Sequence, residues 1–222
     1  MYTVTQLFDL EHTLARDYLS QYSLPWEALA GIKDFILKLG PALGDDYYEK
    51  DPQVWVHKDA VVYPTAYIMP PCIIGPRTEV RHCSYIRGSV LVGADCVIGN
   101  SVELKNAIIF DNCEVPHYNY VGDSILGFHA HMGAGSITSN IKSDRNNVVV
   151  HDGSDSIETG ILKIGAMIAD WVEIGCNTVC NPGTIIGRHS TVYPTCNVRG
   201  LVPENSILKD NGEVVNKGTG VH

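Results

Sequence analysis

A repeat of six residues governs the central part of this chain. Neither the period of an α-helix, about 3.6 residues, nor the alternation of an ordinary β-strand produces this spacing. A fixed short period is typical of a solenoid, in which each repeat is one structural unit stacked on its neighbours. The aliphatic positions are Val56, Val62, Ile68, Ile74, Val80, Ile86, Val92, Ile98 and Leu104.

A second regular position, four residues after each aliphatic one, holds a small or β-branched residue. Six residues make one short strand and one turn, and three such units close a triangular coil of about 18 residues. This hexapeptide repeat is typical of the left-handed parallel β-helix, a known exception to the right-handed crossover rule. The sequence therefore predicts an all-β fold in which each coil stacks on the one before it.

The predicted β-helix spans residues 56–203 and contains an inserted loop over residues 139–161. The six-residue period passes through two one-residue deletions before this loop and resumes at Ile168. Asp152-Gly153 follows three valines and predicts a β-hairpin turn within the loop. A loop of this length in a compact solenoid usually has a function. In the predicted tail, residues 204–222, Asn211-Gly212 predicts a second hairpin that caps the last coil.

Residues 1–55 lack the repeat and are predicted to form a helical hairpin and a linker. Apolar residues three and four positions apart predict one helix within residues 1–22. A second helix is expected after Ser23, and Gly40-Pro41 ends it. Residues 40–55 are the predicted linker. The hairpin is expected to pack on the β-helix or on a neighbouring subunit.

Composition narrows the possible partners and locations. The net charge of −9 disfavours nucleic acid and anionic membranes. We find no signal peptide and no apolar membrane span, which predicts a cytoplasmic protein. The seven cysteines form no Cys-x-x-Cys pair, which argues against a disulfide framework and a four-sulfur zinc site. Five of them occupy inward positions of the repeat. Coils of this kind expose unpaired faces, so a homotrimer is predicted.

Two basic residues mark a candidate anion site. Arg87 and Lys105 are three repeats apart and should lie one above the other on successive coils. Stacked like charges are unfavourable unless an anion or a carboxylate lies between them. A phosphate group would suit this pair, since arginine grips it with two hydrogen bonds and lysine as a point charge. The alternative is a solvated pair neutralised by Glu103 or Asp123.

A lone histidine, His117, lies one coil before Ala134 of a Gly-Ala-Gly segment. A histidine can take a proton from an amine or hydroxyl near neutral pH. A backbone N–H at the glycine-flanked Ala134 could stabilise the oxyanion formed from a thioester carbonyl. These residues suggest acyl transfer, although a structural histidine is the alternative.

From about Val80 to the C-terminus the chain resembles a known enzyme domain. It is similar to the acetyltransferase domain of the bifunctional glucosamine-1-phosphate acetyltransferase/N-acetylglucosamine-1-phosphate uridyltransferases and of archaeal-type sugar-phosphate nucleotidylyltransferases. The nucleotidylyltransferase half has no counterpart in this chain. The motifs that carry the resemblance are Ile86-Arg-Gly88, Gly99-Asn-Ser-Val-Glu-Leu-Lys-Asn106, Val115-Pro-His-Tyr-Asn-Tyr-Val-Gly-Asp-Ser124, Gly133-Ala-Gly-Ser-Ile-Thr138 and Asn181-Pro-Gly183.

The resemblance implies an acyl-CoA-dependent acyltransferase that uses acetyl-CoA, without a metal, on an amino-sugar phosphate or nucleotide sugar. It implies His117 as general base, Glu103 as its assistant and Ala134 as a contact to the acyl carbonyl. For the sugar phosphate it implies the binding residues Arg87, Lys105, Tyr120 and Asn140.

Three features depart from the pattern of that family. His131 stands where the family has an asparagine that touches the sugar, and the inserted loop is longer than in the bacterial enzymes. Cys176 and Tyr193 match positions that contact coenzyme A but differ from the usual small residues. One alternative is therefore a non-catalytic sugar-nucleotide-binding or regulatory subunit. A minor alternative is a zinc enzyme of the γ-carbonic anhydrase type, which needs three histidines converging between subunits.

Overall fold

The computed structural model describes residues 1–153 and 155–218. The repeat forms the coils of a left-handed parallel β-helix, which confirms the fold class predicted from the sequence. Each coil has three faces, called face 1, face 2 and face 3 in chain order. Equivalent strands of successive coils pair in parallel, and Ile68 lies beside Ile86, the aliphatic residue three repeats later, as predicted.

The strands of each face are short. Face 1 comprises Val54–His57, Cys72–Ile74, Val90–Val92, Ala166–Ile168, Thr184–Ile186 and Leu201–Val202. Face 2 comprises Val61–Val62, Glu79–Val80, Val97–Asn100, Glu114–His117, His131–Met132, Glu173–Ile174, Thr191–Val192 and Ser206–Leu208. Face 3 comprises Tyr67–Ile68, Tyr85–Ile86, Ile137–Thr138, Val179–Cys180 and Asn197–Val198. Two longer strands, Glu103–Ile109 and Tyr120–Leu126, run from face 3 onto face 1.

The two one-residue deletions coincide with these longer strands. Each deletion shortens the corner between face 3 and face 1, so the strand continues across it. Leu104 pairs with Val121, so this coil is one residue shorter than a regular one. Asn106 and Asp123 turn the chain at this corner with φ of 49° each, a left-handed conformation that asparagine and aspartate tolerate. The deletions therefore place two polar side chains at equivalent positions of adjacent coils.

The interior is filled by the inward positions of the repeat. Hydroxyl groups in the small position donate to backbone carbonyls, as Ser84 Oγ does to Gly99 O at 2.6 Å. Burial raises the pKa of the Cys180 thiol to about 12, so this cysteine stays protonated and serves as packing. Cys83 and Cys176 are exposed, whereas the five cysteines assigned to the interior are buried: Cys72, Cys96, Cys113, Cys180 and Cys196.

Both predicted hairpins are present. Val149–Asp152 and Asp155–Glu158 pair antiparallel within the inserted loop, and the coils resume across this insertion where Leu126 pairs with Ile168. Near the C-terminus Val214–Asn216 pairs antiparallel with Ser206–Leu208 and covers the last coil of face 2. Ser154 and residues 219–222 of the predicted tail lie outside the described residues.

The N-terminal segment is helical, but the helix predicted over residues 1–22 is divided into short pieces. Phe8 and Thr13 adopt extended backbone, because this segment follows the surface of the β-helix. None of the described helices is long and apolar enough to cross a membrane. The α-helices are Val4–Leu7, Arg16–Leu19 and Ile32–Leu39. The 3-10 helices are Leu10–His12, Pro25–Gly31 and Gly40–Ala42.

Part of the predicted linker is a β-strand. Tyr47–Asp51 pairs antiparallel with Val54–His57, the first strand of face 1. Sequence alone did not show this pairing, because the strand satisfies an open sheet edge and carries no repeat of its own. This part of the predicted linker is therefore a strand. The domain boundary at residue 55 stays a prediction.

Asp170 joins the N-terminal segment to the β-helix. Its buried carboxylate accepts hydrogen bonds from the backbone N–H groups of Asp9 at 2.7 Å and Phe128 at 2.9 Å. The Arg188 guanidinium lies 3.2 Å from the same carboxylate. Burial raises the pKa of Asp170, and the hydrogen bonds from Asp9 and Phe128 and the charge of Arg188 act in the opposite direction.

Replacing Asp170 by alanine is expected to lower the free energy of unfolding by about 3 kcal/mol, because two backbone N–H groups and a guanidinium lose a buried acceptor. Denaturant unfolding measures this loss. The control is Asp95→Asn, which weakens the exposed pair with Arg77 without straining the left-handed backbone at this position and should cost less than about 1 kcal/mol. Equal losses in the two variants would contradict the role of Asp170.

Candidate active site

An open groove of about 440 Å³ lies on face 2 beside the corner that leads to face 3. It brings together four residues singled out from the sequence: His117, His131, Ala134 and Cys176. His117 ends the strand Glu114–His117 and is exposed. Glu114 pairs with His131, so His117 and Ala134, each three residues further on, occupy the same position in adjacent coils. The predicted one-coil separation of the histidine and the Gly-Ala-Gly segment is therefore present.

The Gly-Ala-Gly turn presents one free backbone donor to this groove. Gly133 N–H donates to Ile174 O at 2.7 Å, and Gly135 N–H donates to His117 O at 2.9 Å. Among the described residues, the N–H of Ala134 between them donates to no acceptor. The turn thus fixes its neighbours and leaves the central amide available to a ligand.

Asn119 fixes the geometry of this corner. It fills an inward position of the repeat and is only 3% exposed. Its Oδ1 accepts the backbone N–H of His117 at 3.0 Å. Its Nδ2 donates to Gly133 O at 2.8 Å and to Ser136 O and Oγ at 3.1 Å each. One buried amide therefore connects the histidine to the turn that carries the free donor.

His131 is held between two glutamates along face 2. Its Nδ1 lies 2.9 Å from Glu173 Oε2, and its Nε2 lies 4.0 Å from Glu114 Oε2. The imidazole is therefore oriented by carboxylates of the coils before and after it. This contact explains how a histidine is accommodated where the resembled family has asparagine. A sugar contact for His131 stays a prediction.

A second group of predicted residues forms a polar cluster on face 3, on the other side of the His117–Asn119 corner. Arg87 and Lys105 occupy equivalent positions of adjacent coils, as predicted, because Ile86 pairs with Leu104. Arg87 Nη1 lies 2.8 Å from Glu103 Oε1. The Lys105 ammonium donates to both oxygens of Asp123 at 2.9 Å. Each cation therefore has one of the two carboxylate partners that the alternative interpretation named.

Asp123 is the centre of this polar cluster. Its side chain is 5% exposed. Besides Lys105, it accepts from Asn106 Nδ2 at 2.8 Å and from Asn140 Nδ2 at 2.5 Å. Asn140 Nδ2 also donates to the Tyr120 hydroxyl at 3.1 Å. Burial, with Asp123 and Glu103 nearby, raises the pKa of Tyr120 above its ordinary value, so the phenol stays protonated.

Two assignments have no supporting contact. The Glu103 carboxylate contacts Arg87, and assistance to His117 stays a prediction. Tyr193 does not line the groove, although Cys176 does. Sequence reasoning missed Asn119, although a polar residue at an inward position of the repeat is a usable signal. It also missed Asn106, whose signal is its place at a shortened corner.

Within residues 1–153 and 155–218, no group of three histidine, cysteine, aspartate or glutamate side chains is arranged to hold a metal ion. His117 and His131 share the groove, whereas the ring of His129 stacks on Trp171 at 4.1 Å between ring centroids.

Comparison with known proteins finds a matching family model and relatives that are similar to this chain. Residues 68–155 match the family model described as the GMPPB C-terminal domain. Bifunctional protein GlmU of Methanococcus maripaludis is 29% identical over 206 residues, which are 91% of this chain and 50% of that protein. Bifunctional sugar-1-phosphate nucleotidylyltransferase/acetyltransferase of Sulfurisphaera tokodaii is 34% identical over 142 residues, 64% of this chain and 35% of that protein. These matches confirm the resemblance stated from the motifs.

The chain spans half or less of the length of these relatives. Among solved structures, a hexapeptide transferase family protein from Anaplasma phagocytophilum matches with a TM-score of 0.41 and 15% identity. That match covers 74% of this chain and 79% of the other.

Proposed function

We propose that this protein is an acyltransferase that moves the acetyl group of acetyl-CoA to the amine of an amino-sugar phosphate, such as glucosamine-1-phosphate, or of a nucleotide sugar. One observation carries the proposal: His117 and the unpartnered N–H of Ala134 meet in one groove, one coil apart, within the described part of the chain. A relative whose name includes acetyltransferase supports it.

The geometry suggests a simple division of labour. The His117 imidazole takes a proton from the acceptor amine as its nitrogen attacks the thioester carbonyl. The carbonyl oxygen becomes an oxyanion that accepts a hydrogen bond from Ala134 N–H. Collapse of this intermediate forms the amide, breaks the carbon–sulfur bond and releases coenzyme A, whose thiolate takes up the proton.

The polar cluster on face 3 would hold the sugar phosphate. Arg87 is better placed for this than Lys105, because its guanidinium is 44% exposed and its partner Glu103 is 33% exposed. Lys105 is committed to the buried Asp123, whose other partners keep it in place. The phosphate would therefore displace Glu103 from Arg87 and leave the pair Lys105–Asp123 intact.

Replacing Arg87 by glutamine is expected to raise KM for the sugar phosphate about tenfold, through loss of a charge-assisted contact, with kcat little changed. Steady-state assays with glucosamine-1-phosphate and with unphosphorylated glucosamine measure the effect, which should appear only with the phosphate. Arg77→Gln, at a different corner and paired with Asp95, is the control. An equal rise in KM for both acceptors would contradict phosphate binding by Arg87.

Release of coenzyme A from acetyl-CoA in the presence of amino-sugar phosphates, with the acetylated product identified by mass, tests the function as a whole.

A second candidate is a sugar-nucleotide-binding or regulatory subunit without chemistry. The exposed Cys176 in the groove favours it, since the resembled family has a small residue there. Tight binding of coenzyme A in calorimetry would count against this candidate. The predicted homotrimer is likewise a proposal, which the mass of the protein in solution tests.

A further inference from the structure

A cavity of about 250 Å³ lies at the corner between face 3 and face 1, under the inserted hairpin. Two glycines let the hairpin approach this corner. Gly183 and Gly200 have φ of 81° and 69°, in the left-handed region that glycine adopts freely. A Cβ on Gly183 would lie 2.8 Å from Val148 Cγ1, so the hairpin packs directly against the coil. The insertion that interrupts the repeat therefore builds this cavity.

The cavity is lined by basic side chains. Lys142, His151 and Arg199 face it, and none of the described residues that line it is acidic. Two carboxylates of the inserted loop have partners of their own. Asp152 pairs with the amino group of Met1, and Asp144 lies 3.3 Å from Lys142 Nζ. The chain as a whole carries a net charge of −9, so the positive charge of this pocket is a local feature of the fold.

Arg199 has no acceptor in the described part of the chain. Its guanidinium is exposed at the cavity and forms neither an ion pair nor a hydrogen bond there. A guanidinium offers five donors in a planar fork that matches the oxygens of phosphate. Five of the six other arginines each have a carboxylate partner: Arg16, Arg77, Arg81, Arg87 and Arg188.

This pocket is separate from the polar cluster on face 3. Arg87 and Arg199 follow equivalent strands of face 3, five strand-to-strand steps apart. At about 4.8 Å a step, the two residues are about 24 Å apart along the helix axis. One phosphate group cannot reach both arginines. A phosphate bound in this pocket would therefore be a different one from a phosphate held by Arg87.

We propose that the cavity lined by Lys142, His151 and Arg199 binds a phosphate group. Arg199 contacts two phosphate oxygens, and Lys142 supplies a second positive charge from the inserted loop. His151 adds a ring N–H donor from the hairpin. The phosphate comes from coenzyme A, from a sugar phosphate or from free inorganic phosphate. Phosphate binding is measured without turnover, so this proposal can be tested independently of acyl transfer.

Calorimetry with inorganic phosphate on the full chain tests the pocket. Every variant in this experiment, including the reference, carries Arg87→Gln, so that phosphate binding at the polar cluster does not contribute to the measured heat. Adding Arg199→Gln is expected to weaken phosphate binding about tenfold, and adding Lys142→Gln should weaken it in the same direction. Adding Arg77→Gln, which removes an arginine already paired with Asp95, should leave it unchanged. Circular dichroism checks that each variant is folded.

Three ligand pairs distinguish the sources of the phosphate. Tighter binding of coenzyme A than of 3′-dephospho-coenzyme A, lost with Arg199→Gln, assigns the pocket to the donor. Tighter binding of N-acetylglucosamine-1-phosphate than of N-acetylglucosamine, lost in the same variant, assigns it to a sugar phosphate. Affinity no greater for either than for inorganic phosphate assigns it to free phosphate. Equal affinities with and without Arg199 and Lys142 for every probe would overturn the proposal.

Discussion

Replacing His117 by alanine is expected to lower kcat for acetyl transfer by about 10²- to 10⁴-fold, the usual contribution of a general base. The acceptor amine would then lose its proton to water alone. Binding of both substrates should change little, because the proposed phosphate site is on face 3 and the Ala134 amide is intact. The loss should therefore appear in kcat rather than in KM, as measured in steady-state assays with saturating acetyl-CoA.

His82→Asn is the matched control for this change. His82 lies two coils before His117 at the same corner, since Asn100 pairs with His117 and Asn100 Nδ2 donates to His82 O at 3.0 Å. Its ring packs on Tyr63, with 4.4 Å between centroids. We expect this control to retain activity within about twofold, a small free-energy change. Undiminished turnover in His117→Ala would contradict the proposed role of His117.

Replacing Asn119 by alanine is expected to have the largest effect on stability, a loss of about 4 kcal/mol in the free energy of unfolding, since alanine would leave buried groups unpaired beside a new cavity. The buried amide makes hydrogen bonds to His117, Gly133 and Ser136. Denaturant unfolding measures the loss. Because the same amide fixes His117 relative to the Gly133–Gly135 turn, kcat should also fall about tenfold in the folded fraction.

Asn100→Ala provides the comparison. Asn100 pairs with His117 on the adjacent coil, but its side chain is half-buried and makes one hydrogen bond to backbone, to His82 O. Its removal should cost about 1 kcal/mol. Equal stability losses in the two variants would show that the position of Asn119 inside the coil adds nothing. Unchanged kcat in Asn119→Ala would show that the corner holds His117 without this amide.

The sequence by itself determined the coils and the order of residues along them. The repeat is local, so each inward position can be counted from the one before it. Counting also shows where a residue is deleted. This is why the equivalent positions of His117 and Ala134, and of Arg87 and Lys105, could be predicted without a structure. The hairpin turns at Asp152-Gly153 and Asn211-Gly212 are equally local, because the turn itself selects these residues.

Only the tertiary structure decided which side chains meet. It pairs Arg87 with Glu103 and Lys105 with Asp123, and it separates the polar cluster on face 3 from the groove on face 2. The N-terminal segment breaks into short helices because Asp9 bonds to Asp170, a residue 161 positions away in the chain. The basic cavity at Arg199 forms only where the inserted hairpin folds back on two later coils. Such contacts depend on how separate segments pack, and a periodic pattern carries no information about that packing.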